Sequence, residues 1–113
     1  MERFRIGNDI TIIWRIKKNG EDAFLDDKGI TIYLTHARGR ITVSSEDYTV
    51  IGNTLTYIFK GEEQTILGPY TLTLDAKHQD GRRYMIQDKC KAFELVGRSC
   101  AEDMDDDYYT VEL

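Results

Sequence analysis

The stretch that decides the fold is 67–74, which reads Leu-Gly-Pro-Tyr-Thr-Leu-Thr-Leu. A Gly-Pro pair interrupts the backbone, and after it Tyr70, Leu72 and Leu74 alternate with threonines. Apolar residues at every second position are typical of a strand that buries one face and exposes the other. We therefore predict a half-buried strand that the chain enters through a sharp corner.

Tyr70 stands at the entrance of this strand, directly after the corner. In immunoglobulin-like sandwiches, a tyrosine at the corresponding place ties the corner to the backbone through its hydroxyl. We expect Tyr70 to do the same and the other strands to pack around it.

Similar alternation recurs along the chain. It predicts further strands near 10–16, 30–35, 41–43, 48–51, 54–59 and 84–95. Asn19-Gly20 and Gly52-Asn53 predict hairpin turns, because both residue types tolerate positive φ. The polar residues 60–64 are interpreted as a loop. In the last stretch the alternation slips near Lys91, which indicates either a β-bulge or a strand that changes sheet.

No helical stripe of ten or more residues is present. We predict an all-β chain, with an immunoglobulin-like β-sandwich of about seven to nine strands over 1–97 and an open barrel as the alternative. Residues 98–113 are interpreted as an acidic tail. Its last residues, 108–113, predict a terminal strand that pairs with its own sheet or with the edge of a neighbour's sheet.

Composition and charge narrow the class of protein. The chain has 113 residues, 41% of them hydrophobic, which suits one globular domain. Residues 1–97 carry 14 basic and 14 acidic residues, whereas 98–113 carry one basic and six acidic residues. The body therefore offers no basic stripe for nucleic acid. No apolar run is long enough to cross a membrane, and the first residues lack an export signal. We expect no membrane insertion.

The cysteines and the acidic tail are weak indications of special chemistry. A disulfide between Cys90 and Cys100 would close an 11-residue loop, but without an export signal we expect a buried free thiol at Cys90 and a surface thiol at Cys100. Asp103, Asp105 and Asp107 resemble the start of a calcium loop. Tyr108 then stands where the loop needs glycine, so we predict a solvated acidic linker and no metal site.

Catalytic motifs are missing from the sequence. No nucleophile elbow surrounds any of the three serines, and no glycine-rich phosphate loop is present. His36 and His78 lie near predicted turns and are interpreted as exposed polar residues. We predict a protein that is not an enzyme and that needs no cofactor.

The aromatic residues fall into two groups. Trp14, Tyr57 and Tyr70 share the phase of the apolar residues in their strands, so we predict that they are in the core. The residues that are candidates for partner contact are Tyr33, Tyr108, Tyr109 and Val111. Ile13 and Ile58 are further candidates, because they are apolar on faces that otherwise point outward.

Several motifs follow one another along 4–96. They are Phe-Arg-Ile-Gly-Asn-Asp at 4–9, the strand around Trp14, Asn19-Gly20-Glu21, Gln64, Gly68, 70–74, Asp88, Cys90, Ala92-Phe93 and Leu95. In this order they resemble small proteins encoded in prophages of gut bacteria. Those proteins in turn resemble the N-terminal immunoglobulin-like domain of the upper baseplate protein of tailed phages.

The resemblance implies a structural role at the tail tip, in the virion tail or in the bacterial cytoplasm before assembly. The implied partners are other phage tail proteins or further copies of this chain. A homo-oligomer such as a trimer would fit, with 108–113 as an arm that pairs with a sheet edge. The alternative is a glycan-binding or adhesion module of a bacterial surface, with Tyr33 and Tyr109 as an aromatic platform.

Overall fold

The computed structural model describes residues 2–98 and 109–113. The described residues form eleven strands, namely β1 (Glu2–Arg5), β2 (Ile10–Arg15), β3 (Lys17–Lys18), β4 (Glu21–Asp22), β5 (Gly29–His36), β6 (Gly39–Thr42), β7 (Tyr48–Ile51), β8 (Thr54–Phe59), β9 (Gly68–Lys77), β10 (Arg83–Val96) and β11 (Tyr109–Glu112). The single helical element among them is a 3-10 turn at Gly61–Glu63. The prediction of an all-β chain is confirmed.

Nine of the strands form two sheets. The first sheet has the order β1-β10-β9-β5-β6 and the second has the order β11-β2-β8-β7, while β3 and β4 form a separate hairpin. The neighbours β10-β9-β5-β6 and β2-β8-β7 correspond to strands G-F-C-C′ and B-E-D of the immunoglobulin sandwich. The predicted β-sandwich is confirmed. The predicted seven to nine strands fall short of the eleven, because neither β1 nor the two short strands of the hairpin were predicted.

Side chains from both sheets meet in one core. On β2 the buried residues are Ile10, Ile12 and Trp14, and on β9 they include Leu72 and Leu74. These residues alternate with outward-facing ones, as the period of two requires. Burying each large side chain contributes about 1.5–3 kcal/mol, so the alternating pattern is the main source of stability.

Tyr70 forms the predicted corner. Its ring is fully buried and stacks on Phe93 at a centroid distance of 5.2 Å. Its hydroxyl donates a hydrogen bond of 2.6 Å to the carbonyl oxygen of Ile66, which precedes the strand. The bond closes the corner between the 3-10 turn and β9. The expectation for Tyr70 and the core positions of Trp14 and Tyr57 are confirmed.

Replacing Tyr70 with phenylalanine is expected to lower the free energy of unfolding by about 1–2 kcal/mol, because the Ile66 carbonyl loses the donor that the fully buried tyrosine holds against it. Urea denaturation measures this change. Tyr48 is the matched control, because its hydroxyl donates to the Ile30 carbonyl at 3.0 Å from a position only half-buried. Water can replace that bond, so Tyr48→Phe should cost less. Equal losses for the two variants would contradict a special role for the corner.

The conformations of the Asn19-Gly20 turn and of the irregular strand β10 follow from local backbone chemistry. Asn19 and Gly20 have φ values of 55° and 82° and join β3 to β4, as a type I′ turn requires. The strand β10 stays in the first sheet, but its register with β9 slips between Lys89 and Phe93. Lys91 has a φ of 49° inside this slip. The structure therefore selects the β-bulge over a change of sheet.

The segment 60–64 is more than a polar loop. Gln64 is almost fully buried, and its amide accepts a bond of 2.8 Å from the Gly7 nitrogen. The same amide donates to the carbonyl oxygens of Asn8 at 2.7 Å and Phe59 at 3.1 Å. The loop prediction is wrong for Gln64, because its polarity serves buried backbone groups and not the solvent.

Candidate partner-binding surfaces

The outer face of the second sheet, here called the isoleucine face, is uncharged over most of its area. Its outward residues follow from the registers of four strands and are Thr110, Glu112, Thr11, Ile13, Arg15, Thr54, Thr56, Ile58, Thr49 and Ile51. The two charged residues among them, Arg15 and Glu112, approach each other to 3.8 Å. An exposed pair of this kind contributes little energy, but it leaves the face without net charge.

The isoleucines give this face its apolar character. Ile58 is 44% exposed and Ile51 is 78% exposed, while Ile13 is half-buried beside them. Ile13 lies opposite Thr56, so Ile58 is its diagonal neighbour on the adjacent strand. The prediction that Ile13 and Ile58 point outward is confirmed. Their neighbours are threonines, whose methyl groups extend the apolar surface.

An exposed phenylalanine extends the same surface at one corner. Phe24 is 64% exposed, and its ring lies beside Gly52 in the turn after Ile51. The segment is held there because the Gly52 amide donates to an Asp26 carboxylate oxygen at 3.0 Å and the Leu25 amide donates to the Gly52 carbonyl at 3.0 Å. Phe24 is not among the candidates predicted from the sequence. The signal that could have found it is its place between two other apolar residues, Ala23 and Leu25, which are both buried.

The outer face of the first sheet is charged and internally paired. Asp75 is almost fully buried and accepts two hydrogen bonds from Arg83, of 3.2 Å and 3.1 Å. The hydrogen bond and the charge of Asp75 raise the pKa of the Arg83 guanidinium above its ordinary value. Nearby, the Thr73 hydroxyl donates to Asp88 at 2.5 Å. These polar groups already have partners, which makes this face a poorer apolar contact than the isoleucine face.

Tyr33 lies on the outer face of the first sheet. It is half-buried, and the Arg40 guanidinium carbon lies 4.3 Å from its ring centroid. A cation at this distance stacks on the ring and covers one of its faces. Tyr33 is in β5 of the first sheet, whereas Tyr109 begins β11 of the second. The two residues therefore lie in different sheets, and the glycan platform stays a prediction.

The terminal strand pairs with its own sheet. β11 runs parallel to β2, with Val111 opposite Ile12. Val111 is 2% exposed and belongs to the core. The prediction of a partner contact at its side chain is wrong, because alternation in β11 directs Val111 inward. Tyr108 lies outside the described residues.

The two histidines are half-buried, and each packs against a tyrosine. The ring of His36 lies 5.6 Å from that of Tyr70, and the ring of His78 lies 5.3 Å from that of Tyr84. The prediction of exposed histidines is wrong, because His36 shares the inward phase of β5 and His78 lies against the β9–β10 hairpin.

The thiols and the acidic linker are only partly covered by the structure. Cys90 is a free, exposed thiol next to the bulge of β10. The prediction of a buried thiol there is wrong, because Cys90 shares the outward phase of Ile86 on the same strand. Cys100 and the aspartates of the predicted linker, Asp103, Asp105 and Asp107, lie outside the described residues. Within 2–98 and 109–113, no three His, Cys, Asp or Glu side chains are grouped as metal ligands would be. In the same ranges no helix has the length and hydropathy to span a membrane.

Comparisons of the chain with family models, with curated proteins and with solved structures found no match.

Proposed function

We propose that this protein is a non-enzymatic attachment module of a phage or prophage tail baseplate, and that the isoleucine face binds its partner. The observation that supports attachment is the depletion of charge on this face combined with exposed isoleucines. Charged residues are depleted at the centres of protein interfaces, and contiguous exposed apolar surface is uncommon on monomers. The partner is another tail protein or a further copy of this chain.

The size of the isoleucine face sets how the partner must approach. Four strands about 4.8 Å apart and about 20 Å long give roughly 300–400 Å² of flat area. A stable interface needs about 800 Å² from each partner. The contact therefore has to extend past the sheet, and the corner formed by Phe24 and Ile51 is the apolar route for that extension.

The tail setting is supported by the resemblance of 4–96 to prophage proteins related to upper baseplate domains. On this proposal the protein acts in the virion tail, and it resides in the bacterial cytoplasm before assembly. A sandwich whose four edge strands, β1, β6, β7 and β11, are all short is suited to such a role, because short edges limit unwanted strand pairing and leave the faces for contact.

The test is co-expression with the tail proteins encoded by neighbouring genes, followed by size exclusion with light scattering, for each mixture and for this protein alone. Ile58→Lys is expected to weaken the resulting complex at least tenfold, because the variant buries an unpaired charge. Ile86→Lys is the matched control, since Ile86 is 54% exposed, against 44% for Ile58, but lies on the first sheet, opposite Asp75.

We expect the control to change the affinity less than twofold. The absence of any complex, with the protein a monomer at every concentration, would contradict the attachment function. A complex that both variants weaken equally would retain attachment but assign it to a different surface.

A further inference from the structure

We propose that the edge of β2 is a binding site for an extended C-terminal peptide. In this structure the site holds residues 109–113 of the same chain. The geometry also admits the same segment from a second copy, so that two chains can exchange their last strands.

The contact between β11 and β2 is made by main-chain hydrogen bonds, as when a peptide adds a strand to the edge of a sheet. The parallel register runs from Tyr109 opposite Ile10 to Glu112 opposite Ile13. It continues to the last residue, where the Leu113 amide donates to the Ile13 carbonyl at 2.7 Å and the Arg15 amide donates to the Leu113 carbonyl at 3.0 Å. Main-chain hydrogen bonds of this kind can form with any extended segment, and pockets for the side chains then supply the selectivity.

Two side chains of the segment supply that selectivity. Val111 enters the core, and Leu113 packs against the core from a half-buried position. Glu112, which stands between them in the alternation, is exposed. The site therefore selects a peptide with apolar residues two positions apart. Glu112 adds a weak ion pair with Arg15 at 3.8 Å.

The chain between β10 and β11 has more residues than the distance between the two sheets requires. Both β1 and β10 end beside each other in the first sheet, with Arg5 opposite Val96. Both β2 and β11 begin beside each other in the second, with Ile10 opposite Tyr109. Four residues, 6–9, make the first crossing, whereas twelve, 97–108, make the second. Twelve residues reach up to about 40 Å, which is far more than the roughly 10 Å between packed sheets.

The length of the connection does not by itself confine β11 to its own chain. A strand from a second copy would make the same bonds and fill the same pockets, as in domain swapping. Binding in the same chain is favoured by a tether whose effective concentration is on the order of 1 mM. Exchange should thus involve about one chain in a hundred at about 10 μM protein and about half of the chains near 1 mM.

The test uses full-length chains in which Cys90→Ser and Cys100→Ser remove the native thiols. One variant carries Thr11→Cys and the other carries Thr110→Cys, since these residues are direct partners in the ladder. A disulfide between positions 11 and 110 of different chains forms only when a strand is exchanged. The two variants are mixed with oxidised glutathione from about 10 μM to 1 mM, and peptide mapping by mass spectrometry identifies the linked positions.

We expect the 11–110 heterodimer to form at an initial rate that rises with concentration. Its yield should exceed by at least tenfold that of a register control in which Thr56→Cys replaces Thr11→Cys. A free Tyr-Thr-Val-Glu-Leu peptide should suppress the heterodimer, and the same peptide with aspartate for valine should not. A heterodimer yield at 1 mM no greater than that of the register control would overturn the proposal.

A chain with both cysteines, Thr11→Cys and Thr110→Cys, checks the cis arrangement separately. We expect it to form an intrachain disulfide at low concentration, and the lack of one would overturn the acceptor site itself. The 11–110 yield is measured on this protein alone, without the tail proteins that the attachment test requires. Failure of the proposed attachment function is thereby distinguished from failure of the acceptor site.

Discussion

Replacing Gly61 with alanine is expected to lower the free energy of unfolding by about 3 kcal/mol, the largest effect of any single methyl group added to this chain. A Cβ at this buried position would run into the carbonyl group of Gly7 and would lie 3.1 Å from the Asn8 nitrogen. These are backbone atoms of the crossing from β1 to β2, so they cannot rotate away as a side chain would. The Gly61 amide also donates to an Asp9 carboxylate oxygen at 2.8 Å, which holds the two segments together.

Urea denaturation followed by the fluorescence of Trp14 measures the change, since Trp14 is the single tryptophan and is fully buried. Gly29→Ala is the matched control. Gly29 lies in β5, and a Cβ there would be 3.9 Å from the carbonyl oxygen of Lys77, which is an ordinary contact. We expect the control to change stability by less than about 1 kcal/mol. A loss for Gly61→Ala as small as that of the control would contradict the close approach.

Replacing Gln64 with leucine is expected to cost about 3–5 kcal/mol. Leucine keeps the apolar volume but leaves the Gly7 amide and the carbonyls of Asn8 and Phe59 without their partner. Each buried backbone group that loses its hydrogen bond costs about 1–3 kcal/mol, and water reaches this corner only in part. The same urea titration, supported by the thermal midpoint, checks the loss.

Gln64→Glu separates the donor role of the amide from its acceptor role. An ionised carboxylate still accepts from the Gly7 amide, but it has no hydrogen to donate to the two carbonyls and it is a buried charge. We expect this variant to be unstable at pH 7 and to regain part of its stability as the pH falls toward about 4, because burial raises the pKa of the carboxyl and the protonated form can donate one bond. Stability that does not change with pH would mean that the side chain leaves the corner in the variant.

Local chemistry along the chain determined the strands and the turns. The alternation of Leu72 and Leu74 with threonines, and the turn residues Asn19 and Gly20, predicted strands and hairpins that the structure contains. These signals are readable because a strand repeats every two residues and a tight turn demands positive φ. The corner at Tyr70 was predictable for the same reason, since its hydroxyl reaches a carbonyl only four residues away.

The alternation of apolar and polar residues could not predict contacts between residues distant in sequence. The polar stretch 60–64 looks like any solvent-exposed loop until the chain places Gln64 against Gly7, 57 residues away. The slip of phase near Lys91 permitted two explanations, and pairing with β9 selected the bulge. Val111 was a plausible partner contact until the parallel docking of β11 directed it into the core.

The candidate binding surfaces divide in the same way. The sequence by itself determined that Ile13 and Ile58 are apolar at outward positions, because their phase is opposite to that of the buried residues of the same strands. Only the tertiary structure decided that they share one face, that Phe24 and Ile51 extend it, and that the edge of β2 accepts the last strand. The physical reason is that alternation determines which side of a strand a residue occupies, whereas the order of strands in a sheet depends on free energy gained by packing segments that are far apart in the chain.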